Sequence, residues 1–295
     1  MIPASFDVFA GLLKSRSGLA IGPDKLYLLE TRLAPLLREH KLADLEALAG
    51  KLRADATSPL ADAVVEAMTT NETFFFRDEK PFTHFRSQVL PALVAARPPG
   101  ARLRLWSAAA STGQEAYSLA MIVAESQALL GGRRVEILGT DIAREPLARA
   151  REGLYSQFEL QRGVPMTALV AHFRKDAHGW RVNDTLRALA RFQEWNLLGD
   201  LRPLGQFDTI FCRNVLIYFD APTKSRVLAA LAERLAPDGV LYLGGAETIL
   251  GLTDKLAAIP GGVNAYRRAE ASTVAKAAPA RTQTPIPALR GAATR

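Results

Sequence analysis

The sequence predicts a chain of two unlike parts, an all-helical module followed by an α/β domain built on a largely parallel, doubly wound sheet. Three observations predict it. Leucines recur at helical spacing through the first 70 or so residues, and strand-like alternation is absent there. Arg97-Pro98-Pro99-Gly100 then punctuates the chain. From Leu103 onward, short apolar runs alternate with helical stretches, the pattern of strands covered on both faces by helices.

In the first part, Leu26, Leu29, Leu33, Leu36 and Leu37 share one helix face. Leu42, Leu45, Leu48 and Leu52 repeat the pattern after a short break. Ser58 is placed to cap a further helix, with Pro59 in its first turn and Ala63, Val64, Ala67 and Met68 along it. The helical domain is expected over 1–78, with a linking helix and linker over 79–100. Strand candidates fall at 103–108, 135–140, 190–195, 207–212 and 239–244, with helices near 114–129, 143–151 and 222–235. The gap from Asp141 to Ala190 is too long for one crossover, so about 153–187 should form a small inserted subdomain. Val263 to Arg268 offers a last strand and closes a domain of 101–269. The remainder, 270–295, is dominated by Ala, Thr, Pro and basic residues and reads as a disordered tail.

The 295 residues are 48% hydrophobic and 23% charged, enough apolar content for a packed core. No apolar run reaches the ~18 residues of a transmembrane helix, and no basic segment leads an apolar stretch as in a secretory signal. The single cysteine, Cys212, excludes an internal disulfide and suits a reducing cytoplasm. His40, His84, His172 and His178 are scattered, so no metal site is expected. A net charge of +7 invites a nucleic-acid reading, but Lys276, Arg281, Arg290 and Arg295 of the tail supply four of those charges. The rest are interspersed with acids, which leaves a mildly basic solvated surface or attraction to an acidic protein partner.

The stretch Leu103 to Gly113 is the most informative. A buried strand runs into Ser107-Ala108-Ala109-Ala110-Ser111-Thr112-Gly113, almost wholly small residues, and Glu115 opens the next helix. In a doubly wound sheet such a turn lies at the carboxyl edge of the strands, where ligands bind. The dinucleotide fingerprint and the Lys-Ser/Thr phosphate loop are both absent, so the turn lacks the equipment for a pyrophosphate. S-adenosylmethionine (SAM) carries an ammonium, a carboxylate, a sulfonium and a ribose diol but no phosphate, and Glu115 suits its cationic end. A tight turn with no ligand is the alternative. Asp141 ends the second strand, where a carboxylate can accept from a ribose diol or cap the next helix. Asn196 follows the third strand, where an amide can contact adenine or simply make a turn. Asn214 leaves the fourth strand and is the better candidate; Cys212, inside an apolar run, reads as packing.

Four separated blocks resemble the CheR family of chemotaxis receptor methyltransferases. They are Met68-Thr69-Thr70-Asn71-Glu72-Thr73-Phe74-Phe75-Phe76-Arg77-Asp78, Trp106 to Ala120, Gly139-Thr140-Asp141-Ile142, and Phe211-Cys212-Arg213-Asn214-Val215-Leu216-Ile217-Tyr218-Phe219. The likeness runs from about residue 5 to 268. It implies a Rossmann-like, SAM-dependent methyltransferase domain with a small inserted β-subdomain, behind an N-terminal all-α domain. It also implies that Asn71, Thr73, Arg77, Glu115, Asp141, Asn196, Leu197, Asn214 and Val215 line the cofactor site. Without the family, the three phenylalanines before Arg77 would read as core. Two departures stand out. Gln114-Glu115-Ala116 replaces the usual Glu-Glu-Pro, and Gly244-Gly245-Ala246-Glu247 replaces Gly-His-Ser-Glu.

The reaction implied by the resemblance is direct displacement, in which a receptor glutamate attacks the sulfonium methyl to give a glutamyl methyl ester and S-adenosylhomocysteine. A glutamate pKa of about 4.3 leaves the nucleophile ionised near neutral pH, so no general base is required. Catalysis then rests on alignment, and Arg77 is the candidate for orienting cofactor or substrate carboxylate. The partner implied is the cytoplasmic helical region of methyl-accepting chemotaxis receptors, against which Lys25, Arg32, Arg38 and Lys41 could dock. A monomer in the cytoplasm, without nucleic acid or membrane insertion, is expected. Two other readings remain: the same chemistry on a receptor of another sensory or motility pathway, and a non-catalytic SAM-responsive module.

Overall fold

The computed structural model describes residues 3–269, so the tail expected over 270–295 lies outside the described residues. Four helices open the chain: α1 (Pro3–Ser17), α2 (Leu26–Glu39), α3 (Leu45–Ala54) and α4 (Pro59–Met68). The leucine periodicity turns inward as expected. Leu29 and Leu33 of α2 and Leu45, Leu48 and Leu52 of α3 are buried in one cluster with Phe9, Leu13, Val64 and Met68. Side chains of Asp44 and Ser58 accept from the amides of Ala47 and Ala61, so α3 and α4 start where their caps stand. Then α5 (Lys80–His84), a π turn over Phe85–Val89 and α6 (Leu90–Ala96) follow one another without a break.

The second part continues with β1 (Leu103–Ala108), α7 (Gln114–Glu125), α8 (Gln127–Leu130), β2 (Val135–Asp141) and α9 (Arg144–Glu152). A compact insert follows: β3 (Leu154–Tyr155), α10 (Gln157–Gln161), α11 (Met166–His172), β4 (Phe173–Asp176), β5 (Gly179–Val182) and α12 (Asp184–Arg187). The chain closes with β6 (Ala190–Glu194), β7 (Phe207–Cys212), α13 (Ala221–Arg234), β8 (Leu235–Leu243), β9 (Leu256–Ala258) and β10 (Ala265–Arg268).

Among the described residues the main sheet has seven strands in the order β6-β2-β1-β7-β8-β10-β9. The first five pair in parallel, while β10 is antiparallel to both β8 and β9. Chain order runs outward from β1 through β2 to β6, then resumes on the other side of β1 with β7. That reversal opens a crevice at the carboxyl ends of β1 and β7. Both strands are buried almost throughout, which explains their unbroken apolar runs. The insert forms its own antiparallel sheet, β3-β5-β4, with helices between its strands. Two details differ from the sequence pattern. The helix expected over 114–129 breaks at Ser126, and β9 is an edge strand of three residues, too short for any periodicity to reveal it. No helix among the described residues is long and apolar enough to cross a membrane.

One histidine is part of the sheet's core. His84, 8% exposed, sits with Nδ1 2.7 Å from the Tyr242 hydroxyl of β8. Burial lowers its pKa, because a charged ring would lose its hydration. Below the ordinary histidine value of about 6.5 the unfolded chain gains a proton that the folded chain resists, so stability falls as pH drops. The melting temperature should therefore fall between pH 7.5 and 5.5, and His84→Gln should flatten that fall. Equal slopes for the two proteins in calorimetry would count against the buried neutral ring.

Candidate active site

The β1–α7 turn is strained on purpose. Ala109 and Ser111 adopt positive φ of 64° and 51°, and Gly113 follows at 95°. A Cβ on Gly113 would lie 2.8 Å from Ala150 Cβ, so only glycine lets α7 start this close to α9. The insert locks the turn from outside, since Tyr155 Oη donates to the Thr112 carbonyl at 2.7 Å. Gln114 and Ala116, where the family pattern has Glu and Pro, are both buried, and Gln114 Oε1 accepts from the Thr112 hydroxyl at 2.7 Å.

At the exit of β7, Asn214 also has positive φ, 59°. The loop it begins is held by a single carboxylate. Glu247 Oε2 accepts from the amides of Asn214 (3.0 Å) and Gly244 (2.6 Å), and Oε1 from those of Val215 (2.9 Å), Leu216 (2.7 Å) and Ile217 (3.3 Å). A Cβ on Gly244 would sit 2.8 Å from both the Asn214 amide and Glu247 Oε2, so glycine makes room for this arrangement. Gly245 and Ala246, the departing positions, are exposed and stand outside it.

Arg213 ties three segments together. Its side chain is 1% exposed; Nη1 donates to Glu115 Oε2 at 3.1 Å, and Nη2 to the Arg77 carbonyl at 2.8 Å and Asp78 Oδ2 at 2.6 Å. Glu115 Oε1 accepts from Ser107 Oγ at 2.8 Å. Burial pushes the Glu115 carboxyl up, and the Arg213 guanidinium pulls it back. The segment from Asn71 to Arg77 is seated by its phenylalanines. Phe75 is fully buried, edge-on to Tyr155 (5.0 Å) and Phe173 (5.6 Å) of the insert. Phe74 is not core: it lies under the guanidinium of Arg77 at 5.4 Å and that of Arg162 at 4.8 Å. Arg77 Nη1 donates to the Glu72 carbonyl at 2.9 Å, which curls its side chain back over the segment.

The helical part closes the crevice. Ser111 Oγ donates to the Asn71 carbonyl (2.7 Å), the Ala20 amide to the Tyr218 carbonyl (2.9 Å), and Asn196 Nδ2 to the Arg16 carbonyl at the end of α1 (2.6 Å). Asn196 Oδ1 also accepts from the Leu198 amide at 2.9 Å, so the turn role is realised and both ends of this amide are engaged. Asp141 does not cap α9, whose N-cap position is Ala143. Its oxygens accept instead from the amides of Ser111 (2.8 Å) and Ala143 (2.9 Å). Burial raises its pKa, and those amides draw it down. Of the four basic residues expected to face a partner, Arg32 turns inward, donating to the carbonyls of Met68 (2.7 Å) and Thr69 (3.0 Å).

The result is one cavity of about 1010 Å³, its open mouth included. All nine residues expected at the site line it, from Asn71, Thr73 and Arg77 through Glu115 and Asp141 to Asn196, Leu197, Asn214 and Val215. Arg213, Trp195, Ile142 and Tyr218 line it too and were not anticipated. Arg213 had a legible signal, a charged residue at the end of an apolar strand, which must find partners when buried. The lining fits SAM. Asp141 keeps unused lone pairs on both oxygens for a diol, Arg213 Nε is a buried donor without a protein partner, and Ile142, Trp195 and Leu197 supply apolar surface for a base.

Glu247→Gln should test the carboxylate hub. The new amide NH₂ would face backbone donors, costing roughly 2 kcal/mol and lowering the melting midpoint by roughly 4–8 °C. A variant that melts with the native protein would show that the loop does not depend on this acid.

Comparison with known proteins agrees with the two-part architecture. Residues 4–69 match the CheR methyltransferase all-alpha domain, and residues 71–264 match the CheR methyltransferase SAM binding domain. The chain is 41% identical over 250 residues to the chemotaxis protein methyltransferase of Vibrio parahaemolyticus, spanning 84% of this chain and 90% of that one. It is 37% identical over 253 residues to chemotaxis protein methyltransferase Cher2 of Pseudomonas putida, spanning 84% and 92%. With the chemotaxis protein methyltransferase of Salmonella typhimurium it shares 34% over 255 residues, spanning 84% and 85%. The chain belongs to the CheR methyltransferase family and is a SAM-dependent methyltransferase.

Proposed function

We propose that this methyltransferase acts in chemotaxis, esterifying glutamate side chains on the cytoplasmic helical region of methyl-accepting receptors. SAM supplies an electrophilic methyl group on a sulfonium. Transfer forms a carboxylate oxygen–methyl bond and breaks the sulfur–methyl bond, leaving a glutamyl methyl ester and S-adenosylhomocysteine. The observation that carries this reading is what lines the cavity. Among the described residues its wall has no His, Lys or Cys, and its buried acids are already engaged: Glu115 by Ser107 and Arg213, Asp141 by two amides. The remaining wall acid, the exposed Glu72, lies 3.5 Å from Arg162 Nη2, so every carboxylate of the wall has a partner, which suits a nucleophile that needs no base, as an ionised carboxylate does. The relatives named above are chemotaxis protein methyltransferases, which supports the pathway.

The chain's own residues then bind, orient and exclude water. The small-residue turn admits the cofactor against the backbone, with Asp141 on its ribose and Glu115 near its cationic end. Asn71, Thr73, Asn214 and Val215 complete the wall, with Asn196 and Leu197 on the base side. Arg77, half-buried at the rim, orients the incoming carboxylate by charge-assisted hydrogen bonds. Alignment of this kind supplies the rate without proton transfer. The exposed Lys25, Arg38 and Lys41 face an acidic receptor helix, and the chain works in the cytoplasm as a monomer.

The test uses methyl-labelled SAM and receptor-bearing membranes. Mild alkali should release the label as volatile methanol; label that survives alkali would sink the ester assignment. Arg77→Ala should lower turnover by roughly 10- to 100-fold while sparing the fold. Native turnover together with native SAM affinity in that variant would remove Arg77 from the mechanism.

A further inference from the structure

Helix α9 starts three residues after Asp141 and has no cap of its own. Its N-cap position, Ala143, is extended and makes no side-chain hydrogen bond. The first amides of the helix are taken by an acid from the other domain. Glu66 of α4 accepts through Oε1 from the amides of Arg144 (2.6 Å) and Glu145 (2.9 Å), and its Oε2 lies 3.4 Å from Arg144 Nε. Its side chain is 24% exposed, so these bonds are only partly shared with water. An anion at this end also matches the helix dipole. The Ala143 amide, one residue earlier, is held by Asp141 itself at 2.9 Å. Ile142, between them, packs on the core of the helical domain. Residues 141–145 are thus fixed as one unit, and its far anchor is not in the methyltransferase domain.

We propose that Glu66 is a positioning residue for SAM: by capping α9 across the domain boundary it sets the orientation of Asp141, and so tunes cofactor affinity from outside the cavity wall. The inference rests on the assignment of Asp141 to the cofactor. The geometry separates two oxygens with different duties. Oε1 carries both backbone bonds, and an amide oxygen can replace it, so Glu66→Gln retains the cap. Glu66→Met keeps the length and helical preference of the side chain and removes both acceptors.

Calorimetric titration with S-adenosylhomocysteine reads the effect. Glu66→Met should weaken binding by about tenfold, the scale of losing a helix cap, while Glu66→Gln stays within about threefold of the native protein. With receptor-bearing membranes, KM for SAM should rise in step and turnover at saturating SAM should stay within about twofold. A role in fold stability alone would not produce that split. A folded Glu66→Met protein that binds within about twofold of native overturns the proposal. Asp141→Asn distinguishes the two possible failures. If it too binds normally, the premise about Asp141 has failed; if it binds weakly while Glu66→Met does not, only the positioning role has. Should Glu66→Met not fold, hydrogen exchange of the native protein decides: the amides of Arg144 and Glu145 should be protected before any ligand is added, and exchange at the rate of an uncapped helix start overturns the proposal.

Discussion

A parallel sheet leaves the carboxyl ends of its strands as a row of open turns, and in this protein the site depends on a second domain closing over that row. The turns after β1, β2, β6 and β7 are each contacted by the segment from α1 to Arg77. Each contact uses a backbone group on at least one side. Backbone geometry is thereby passed from the helical domain to the pocket wall with little freedom for side-chain rotation. The cavity lining reflects this, with Ser17, Leu19 and Met68 to Asn71 on one wall and the strand exits on the other.

Closing such a cleft buries charge, and buried charge must be paired. Arg213 is the clearest case, because it answers Glu115, Asp78 and the Arg77 carbonyl at once. Glu247 solves the complementary problem with backbone amides, gathering five of them from two loops. These anchors also explain where strain is tolerated. Of the seven non-glycine residues with positive φ among the described residues, Ala109, Ser111 and Asn214 line the cavity, and Phe76, Asp78 and Glu79 flank Arg77, which lines it too. Such conformations persist only where surrounding bonds over-determine them.

The family departures read differently once placed. Glu247, retained in Gly244-Gly245-Ala246-Glu247, is the structural element of that motif, while the two altered positions are exposed beside it. Gln114 keeps a hydrogen bond at the helix start without a charge. Arg32 shows the opposite lesson. Its charge suggested a docking surface, but its guanidinium holds the carbonyls that lead into the site.

Much of the fold was legible because it is local. Leucine spacing fixed the inward faces of α2 and α3, Ser58 marked a helix start, and unbroken apolar runs marked strands covered on both sides. Of the nine expected site residues, Glu115, Asp141, Asn196, Leu197, Asn214 and Val215 stand at or just past strand ends, which in a doubly wound sheet are already near the cleft, while Asn71, Thr73 and Arg77 lie between α4 and α5 and only the family resemblance pointed to them. What only tertiary structure decided is how distant segments share atoms. That Glu66 caps a helix 78 positions away, that Asn196 binds α1, and that Phe74 is a platform while Phe75 is core depend on packing across the domain boundary. No periodicity or cap rule reaches that far, because the partner of a buried polar group is set by three-dimensional proximity and not by spacing along the chain.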